Sequence, residues 1–237
     1  MVKRMKNLII IGVIVIIALI LLGIAFIGQK SGEVSHSSNN WNGTWKSELY
    51  TLSIKQSGSV ISGNYEPDNI SSSDPGVLAG TLSAEGKAFS GVWTESGPLN
   101  LVMSEDGMSY SGIGAVRPEG GRNPSETYKT GGKRVGNVSG PHNTWSGNWN
   151  STRTNQTFTQ NGTVVTGSYQ PWSNINDEPG TFEGTVSEDG KTVSGKWTES
   201  GNFNFVLSED GSVFNGTYSI FLQKTDDSDS WNATRLH

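Results

Sequence analysis

The segment GVWTESG, Gly91–Gly97, recurs as GKWTESG, Gly195–Gly201, a shift of 104 residues (195 − 91). The same shift relates many other positions, and between Trp41 and Gly114 the alignment needs no insertion. It carries Trp41, Gly43, Trp45, Gln56, Gly58, Gly63, Tyr65 and Pro67 onto Trp145, Gly147, Trp149, Gln160, Gly162, Gly167, Tyr169 and Pro171. Self-similarity over this length predicts two homologous domains.

Within each copy, large apolar residues alternate with small or polar ones. In the second copy the spacing of apolar residue, glycine and a second bulky residue recurs as Trp145-Gly147-Trp149, Val165-Gly167-Tyr169, Phe182-Gly184-Val186, Val193-Gly195-Trp197 and Phe214-Gly216-Tyr218. A period of two places each set on one face of a strand. Further strands are predicted around Phe158, over Phe203–Leu207 and over Trp231–Leu236, which makes eight strands per copy.

Glycines in the middle of these strands favour a closed barrel, because interior glycine lets a sheet bend sharply and leaves room for a bulky neighbour. The fold class is therefore all-β, as two tandem up-and-down antiparallel barrels; a sandwich with glycines at bulges is the alternative. Asn161-Gly162, Asp189-Gly190 and Asp210-Gly211 predict tight hairpin turns at one end of the barrel. Longer loops should then lie at the other end, which we call the mouth.

The N-terminus predicts a membrane anchor. Lys3, Arg4 and Lys6 precede the apolar run Leu8–Ile27, long enough as a helix to cross a hydrocarbon core of about 30 Å. The basic cluster should remain cytoplasmic, which places the rest outside the cell. A cleaved signal peptide and a pilin-type leader are the alternatives. The predicted organisation is a basic tail over 1–6, a transmembrane signal anchor over 7–28, a flexible tether over 29–40, barrel repeats over 41–136 and 145–237, and a linker over 137–144.

Composition excludes several function classes. The net charge of −5 argues against a nucleic-acid partner. The absence of cysteine removes disulfides, thiolate metal sites and cysteine nucleophiles. His36, His142 and His237 all lie outside the predicted strands, so no barrel holds a histidine base or metal ligand. We therefore expect no enzymatic activity, no cofactor and no metal.

The strand pattern resembles the avidin/streptavidin barrel of the calycin class. The resembling segments are GNWN (Gly147–Asn150), VVTGSYQ (Val164–Gln170) and WNATRLH (Trp231–His237). The resemblance implies a barrel-closing pair in which a late arginine packs over an early tryptophan, here Arg235 over Trp145 or Trp149. Tyr169 and Trp197, with Tyr65 and Trp93 in the first copy, fit the family's ligand-binding tyrosine and tryptophan. Its other biotin-binding residues are mostly unmatched, so biotin binding should be absent.

The candidate ligand site lies at the mouths. The direction of the strands places several aromatic residues there, and Glu95 and Glu199 follow a strand tryptophan by two positions and share its inward face. Glu199 has Asp177 or Glu178 as its only evident carboxylate neighbours. Trp172 lies in a long mouth loop where the first copy has Asp68. The candidate ligand-binding residues are Trp45, Tyr65, Trp93, Glu95, Trp149, Tyr169, Trp172, Trp197, Glu199 and Tyr218.

These features predict a membrane-anchored extracellular protein whose two modules bind a small molecule, a glycan or a protein partner without catalysis. The alternative is a structural cell-envelope protein whose barrels are filled by core side chains. N-x-S/T sequons that a glycosylating host could modify occur at Asn42, Asn69, Asn137, Asn150, Asn155, Asn161, Asn215 and Asn232.

Overall fold

The computed structural model describes residues 39–69, 73–116, 127–136, 144–175, 177–223 and 228–236. The basic tail, the predicted anchor Leu8–Ile27 and most of the tether lie outside these residues. Over the described part of the chain, no helix has the length and apolarity needed to cross a membrane.

The described chain is all-β and antiparallel, as predicted. Its strands are β1 (Gly43–Lys46), β2 (Tyr50–Ser57), β3 (Val60–Pro67), β4 (Gly76–Leu82), β5 (Ala88–Met103), β6 (Ser109–Ala115), β7 (Thr127–Arg134), β8 (Gly147–Asn150), β9 (Thr154–Asn161), β10 (Val164–Pro171), β11 (Gly180–Val186), β12 (Thr192–Leu207), β13 (Val213–Tyr218), β14 (Asp229–Ser230) and β15 (Ala233–Arg235). The predicted tight turns are confirmed: Gly162, Gly190 and Gly211 have φ of 61°, 75° and 70°, a conformation that glycine adopts without strain.

Strand pairing closes into two rings that share β5 and β12. These two long strands pair with each other along almost their whole length, from Thr192 opposite Val102 to Val206 opposite Ala88. The first ring runs from β5 through β4, β3, β2 and β1 to β15, β13 and β12. The second ring runs from β5 through β6, β7, β8, β9, β10 and β11 to β12.

Each ring is built from both sequence repeats. The first half of β5 pairs with β4 over Phe89–Glu95, whereas its second half pairs with β6 over Leu99–Met103. In the same way, β12 pairs first with β11 and then with β13. The sequence predicted that each repeat would close on itself through separate fifth and sixth strands. Those two strands are instead one continuous strand in each repeat, so each repeat passes its last strands to the other ring.

An approximate two-fold axis relates the two rings. Glu95 lies directly opposite Glu199 in the β5–β12 pair. Because the repeat shift of 104 carries Glu95 onto Glu199, each glutamate faces its own repeat equivalent. Indole hydrogen bonds obey the same symmetry. Trp93 Nε1 donates to the Ser219 carbonyl at 3.0 Å, and Trp197 Nε1 donates to the Ala115 carbonyl at 3.1 Å. Each bond joins one repeat to the other.

Gly97 and Gly201 make this crossing possible. A β-carbon on Gly97 would lie 1.7 Å from the Ala115 carbonyl oxygen, and one on Gly201 would lie 1.6 Å from that of Ser219. No side chain fits at such distances, so the backbones can approach here only at glycine. Close backbone contact therefore explains why the last position of the duplicated heptapeptide is glycine in both repeats.

Each ring encloses its own apolar core, and each core mixes the two repeats. The first core contains Trp41, Trp45 and Phe89 from repeat 1 together with Phe205 and Phe214 from repeat 2. In the second core, most residues come from repeat 2 and a few come from repeat 1. The repeat 1 residues are Leu101, Met103 and Tyr110. The other buried residues are Trp145, Trp149, Phe158, Val165, Phe182, Val186 and Val193.

The structure contains arginine side chains stacked on tryptophan rings, but Arg235 does not stack on either of the tryptophans predicted for it. Arg235 lies over the ring of Trp45 at 4.2 Å, and Arg134 lies over Trp149 at 4.1 Å. Neither Trp145 nor Trp149 receives Arg235, because the last strand of repeat 2 pairs with β1 of repeat 1. Arg235 also donates to the Gly211 carbonyl at 2.9 Å, which holds the guanidinium where β15 pairs with β1.

Candidate functional site

A cavity of about 200 Å³ opens at the end of the first ring where the β1–β2 loop lies. Both repeats contribute to its walls. The lining residues are Ser47, Glu48, Leu49, Tyr50, Tyr65, Trp93, Glu95, Glu178, Tyr218, Ser230, Trp231 and Asn232. The cavity therefore exists as a site only because the repeats exchange strands.

Five of the twelve lining residues are aromatic, and most of their ring contacts are edge to face. The Tyr65 ring lies 5.2 Å from Tyr50 and 5.1 Å from Trp231, nearly perpendicular to both. Trp231 also lies 5.6 Å from Tyr218, which is 6.3 Å from Trp93. These are favourable aromatic geometries, so the wall is held in place before any ligand arrives.

A buried carboxyl group faces the aromatic wall. Glu95 is only 8% exposed, and its Oε1 accepts a hydrogen bond from the Tyr65 hydroxyl at 2.9 Å. Burial, together with the neighbouring carboxylates of Glu178, Asp74 and Glu199, raises the pKa of Glu95 well above its ordinary value. The pKa of Tyr65 is raised as well, first by burial and then by Glu95, so the tyrosine remains a hydrogen-bond donor.

Four carboxyl groups gather where the two rings meet. Carboxylate oxygens of Asp74, Glu95 and Glu199 lie within 4.8 Å of one another. Burial raises the pKa of Glu199 to about 8, with Glu178 and Asp74 adding to the shift. Burial raises the pKa of Glu178 to about 7, and Asp74, Asp229 and Asp177 add to it. Like charges this close cannot all be ionised, so the cluster holds protons near neutral pH.

The second ring has the same polar pair but an aromatic wall of different composition. Tyr169 donates to Glu199 Oε1 at 2.8 Å, just as Tyr65 donates to Glu95. However, the repeat shift carries Tyr50 onto Thr154 and Gly114 onto Tyr218. The Tyr128 ring packs over Gly114 and takes the place of Tyr218, whereas the place of Tyr50 is held by Thr154, which is not aromatic. The two mouths are therefore built from different residues.

Trp172 belongs to the rim of the second ring. Its Nε1 donates to the Ser151 carbonyl at 3.2 Å, and the side chain is half-buried. Its backbone amide donates to the Arg153 carbonyl at 2.9 Å. These bonds hold the indole across the β8–β9 connection, which favours the interpretation that it packs over the rim.

The structure divides the predicted site residues among three places. Four of them line the cavity: Tyr65, Trp93, Glu95 and Tyr218. Trp45 and Trp149 are fully buried core residues beneath the arginines. Tyr169, Trp197, Glu199 and Trp172 lie in the second ring.

Sequence reasoning left Tyr50, Glu178 and Trp231 out of the site. The sequence predicted Trp231 in the last strand of a barrel made of repeat 2 alone. Glu178 was expected as a neighbour of Glu199, yet it also lines the cavity of the first ring. Tyr50 carried one signal that could have found it: it is aromatic where the other repeat has Thr154, so folding of the common barrel does not require it.

Comparison with protein-family models, with curated proteins and with solved structures found no match for this chain. The function of the protein is therefore inferred from the cavity itself.

Proposed function

We propose that this protein binds a small molecule, without catalysis, in the cavity of the first ring. We further propose that the two rings are two eight-stranded barrels of the avidin-like type, and that Leu8–Ile27 anchors them outside the cell. The proposal narrows the sequence-based expectation of two binding mouths to one site per chain.

The observation that carries the proposal is the asymmetry of the two rings. A wall that served only to fill a barrel would be built alike in both rings, but Tyr50 of the first ring is replaced by Thr154 in the second, and Tyr218 is replaced by Gly114 with the Tyr128 ring packed over it. The cavity combines apolar walls with a few convergent polar groups, which is the usual character of a small-molecule site.

Binding is favoured over catalysis by the residues at hand. No histidine lies within the described ranges. The carboxyl groups of Glu95 and Glu199 adjoin each other rather than face each other across an open cleft, and each accepts a tyrosine hydroxyl. A glycosidase needs two carboxyl groups on either side of a bond, with different protonation states. This cluster does not have that arrangement.

Intrinsic fluorescence tests the proposal directly, because Trp93 and Trp231 line the cavity. The full-length chain is titrated with sugars, amino alcohols, small aromatic acids and biotin. We expect saturable quenching by at least one class with one site per chain, lost in Tyr50→Thr and retained in Trp172→Ala. A folded protein with no saturable response to any of them would support the structural alternative, in which the barrels only pack in the cell envelope.

The location has its own test. Intact cells producing the full chain are treated with protease, and membranes are washed at high pH. We expect the barrels to be degraded from outside and the protein to stay with the membrane after the wash. Release by the wash, or protection in intact cells, would contradict the anchor and the extracellular orientation.

A further inference from the structure

We propose that the ligand of the first-ring cavity is a small organic ammonium ion that also carries an oxygen acceptor, such as an amino alcohol. This inference rests on the proposed binding function and names the chemical class of the ligand.

The charge of the wall favours a cation. The cavity lining includes Glu48, Glu95 and Glu178, and it includes no lysine, arginine or histidine. Asp74 lies against Glu95 and Glu199 beside it. No cationic side chain of the lining would pair with an anionic ligand, whereas a bound cation would favour ionisation of carboxyl groups that otherwise hold protons because they repel one another.

The aromatic wall favours an organic cation over a bare metal ion. Tyr50, Tyr65, Tyr218 and Trp231 surround the space with rings that meet edge to face. Aromatic cages of this composition recognise ammonium groups through cation–π attraction, with tryptophan the most effective ring. A hard metal ion takes oxygen ligands and gains nothing from indole or apolar ring faces.

Two unpartnered polar atoms specify what else the ligand needs. In the described chain, Glu178 Oε2 and Trp231 Nε1 are the buried side-chain atoms that have no hydrogen-bond partner, and both residues line this cavity. Trp231 is 8% exposed. Buried polar groups are normally satisfied, so these two residues of the cavity wall have room for one further hydrogen-bond donor, to Glu178, and one further acceptor, from Trp231. An organic ammonium group supplies a positive charge for Glu178, and a primary one such as that of ethanolamine supplies an N–H donor as well. A hydroxyl oxygen supplies the acceptor for Trp231.

Neither of these atoms is in contact with solvent. A ligand that bonds to both would therefore require the Trp231 indole and the Glu178 carboxyl to turn toward the cavity. Because an indole changes its emission when its surroundings change, the same movement gives the experiment its signal.

The test uses the full-length chain with choline, ethanolamine and 3,3-dimethyl-1-butanol. The last compound has the shape of choline without its charge. We expect choline or ethanolamine to saturate the Trp signal at one per chain, and the neutral alcohol to bind at least about tenfold more weakly, because cation–π and carboxylate contacts are lost. Glu178→Gln should weaken cation binding about tenfold, and Trp231→Phe should weaken it as well. Asp189→Asn, in an exposed turn of the second ring, should leave binding unchanged.

Several outcomes would overturn the inference. One is equal affinity for the alcohol and choline. Another is unchanged cation binding in Glu178→Gln, a substitution in a loop that keeps the shape of the side chain. A third is no cation binding up to about 10 mM, far above the affinity expected of so small a ligand in a formed cavity. If sugars or aromatic acids still bind in that case, the binding function stands and only the ligand class is wrong. If nothing binds, both proposals fail.

Discussion

Phe205→Ala should destabilise the ring that contains the N-terminal strands of the other repeat. Phe205 is fully buried, lies 4.4 Å from the ring of Phe214 and 6.0 Å from that of Phe89, and belongs to the first core. Truncating a buried phenylalanine to alanine costs about 3–5 kcal/mol through lost burial and the cavity that remains. Since about 1.4 kcal/mol corresponds to a factor of ten, opening of the first ring should become about 10²- to 10³·⁵-fold more frequent.

Hydrogen exchange measured peptide by peptide detects this opening. Amides of β1–β4 should exchange faster in Phe205→Ala, although these strands lie more than 120 residues away in the sequence, whereas β8–β11 should change much less. Leu101→Ala is the matched control, because Leu101 lies in repeat 1 but is buried in the second core. It should accelerate exchange in β8–β11 instead. The reverse pattern in both variants would refute the exchange of strands between repeats.

Three further outcomes follow from individual residues. Gly201→Ala should lower Tm by roughly 2–12 °C, because the added β-carbon would meet the Ser219 carbonyl. Gly162→Ala is the control, because its β-carbon would meet nothing within 4 Å. It should lower the free energy of unfolding only by the strain of alanine at a positive φ, about 1 kcal/mol. Arg235→Met should lower the free energy of unfolding by about 1–3 kcal/mol in urea denaturation, through loss of the contact with Trp45 and of hydrogen bonds to carbonyls; an unchanged midpoint would contradict this. For Glu199 the folded pKa of about 8 is above its ordinary value of 4.5, so the contribution of this group to stability is present at pH 4.5 and lost as pH rises to 8. The wild-type Tm should therefore fall across this window, and a Glu199→Gln variant with the same slope would show that the group does not titrate there.

Much of the fold could be predicted from period and repetition. Alternation around residues such as Val165, Gly167 and Tyr169 defined the strands, and Asp-Gly and Asn-Gly pairs defined the tight turns. These are local properties of the chain, and hydrogen bonding across neighbouring strands follows from them.

The exchange of strands could not be predicted in the same way. The strand edges and apolar faces that let one repeat form a barrel by itself also let it pair with the other repeat, because the two copies have equivalent residues there. The connection at Glu95–Gly97 lacks the Asp-Gly pair seen at Asp189-Gly190, and its Ser96-Gly97 and Gly97-Pro98 pairs are common in turns but do not require one. An extended strand through Ser96 is therefore compatible with the sequence, and the choice between a hairpin and a continuous strand is made by long-range packing.

The candidate site was only partly predictable for the same reason. Tyr65, Trp93 and Glu95 were recognised from their places on strands, since direction and period fix the end and face of each side chain. Trp231 and Glu178 reach this cavity from the other repeat, which no reading of one repeat could place there. Arg235 was assigned to the wrong tryptophan through the same assumption.

Cross-linking is the most direct measurement of the central claim, that each ring and the composite cavity are made by both repeats. The chain has no cysteine, so pairs can be introduced cleanly. Lys46 lies opposite Thr234 across β1 and β15, while Asn150, its repeat equivalent, lies opposite Lys133. In monomeric protein a short thiol-reactive cross-linker should join Lys46→Cys to Thr234→Cys in high yield and leave the Asn150→Cys, Thr234→Cys pair unjoined. Efficient joining of the second pair and failure of the first would show that each repeat closes on itself, and would contradict the account.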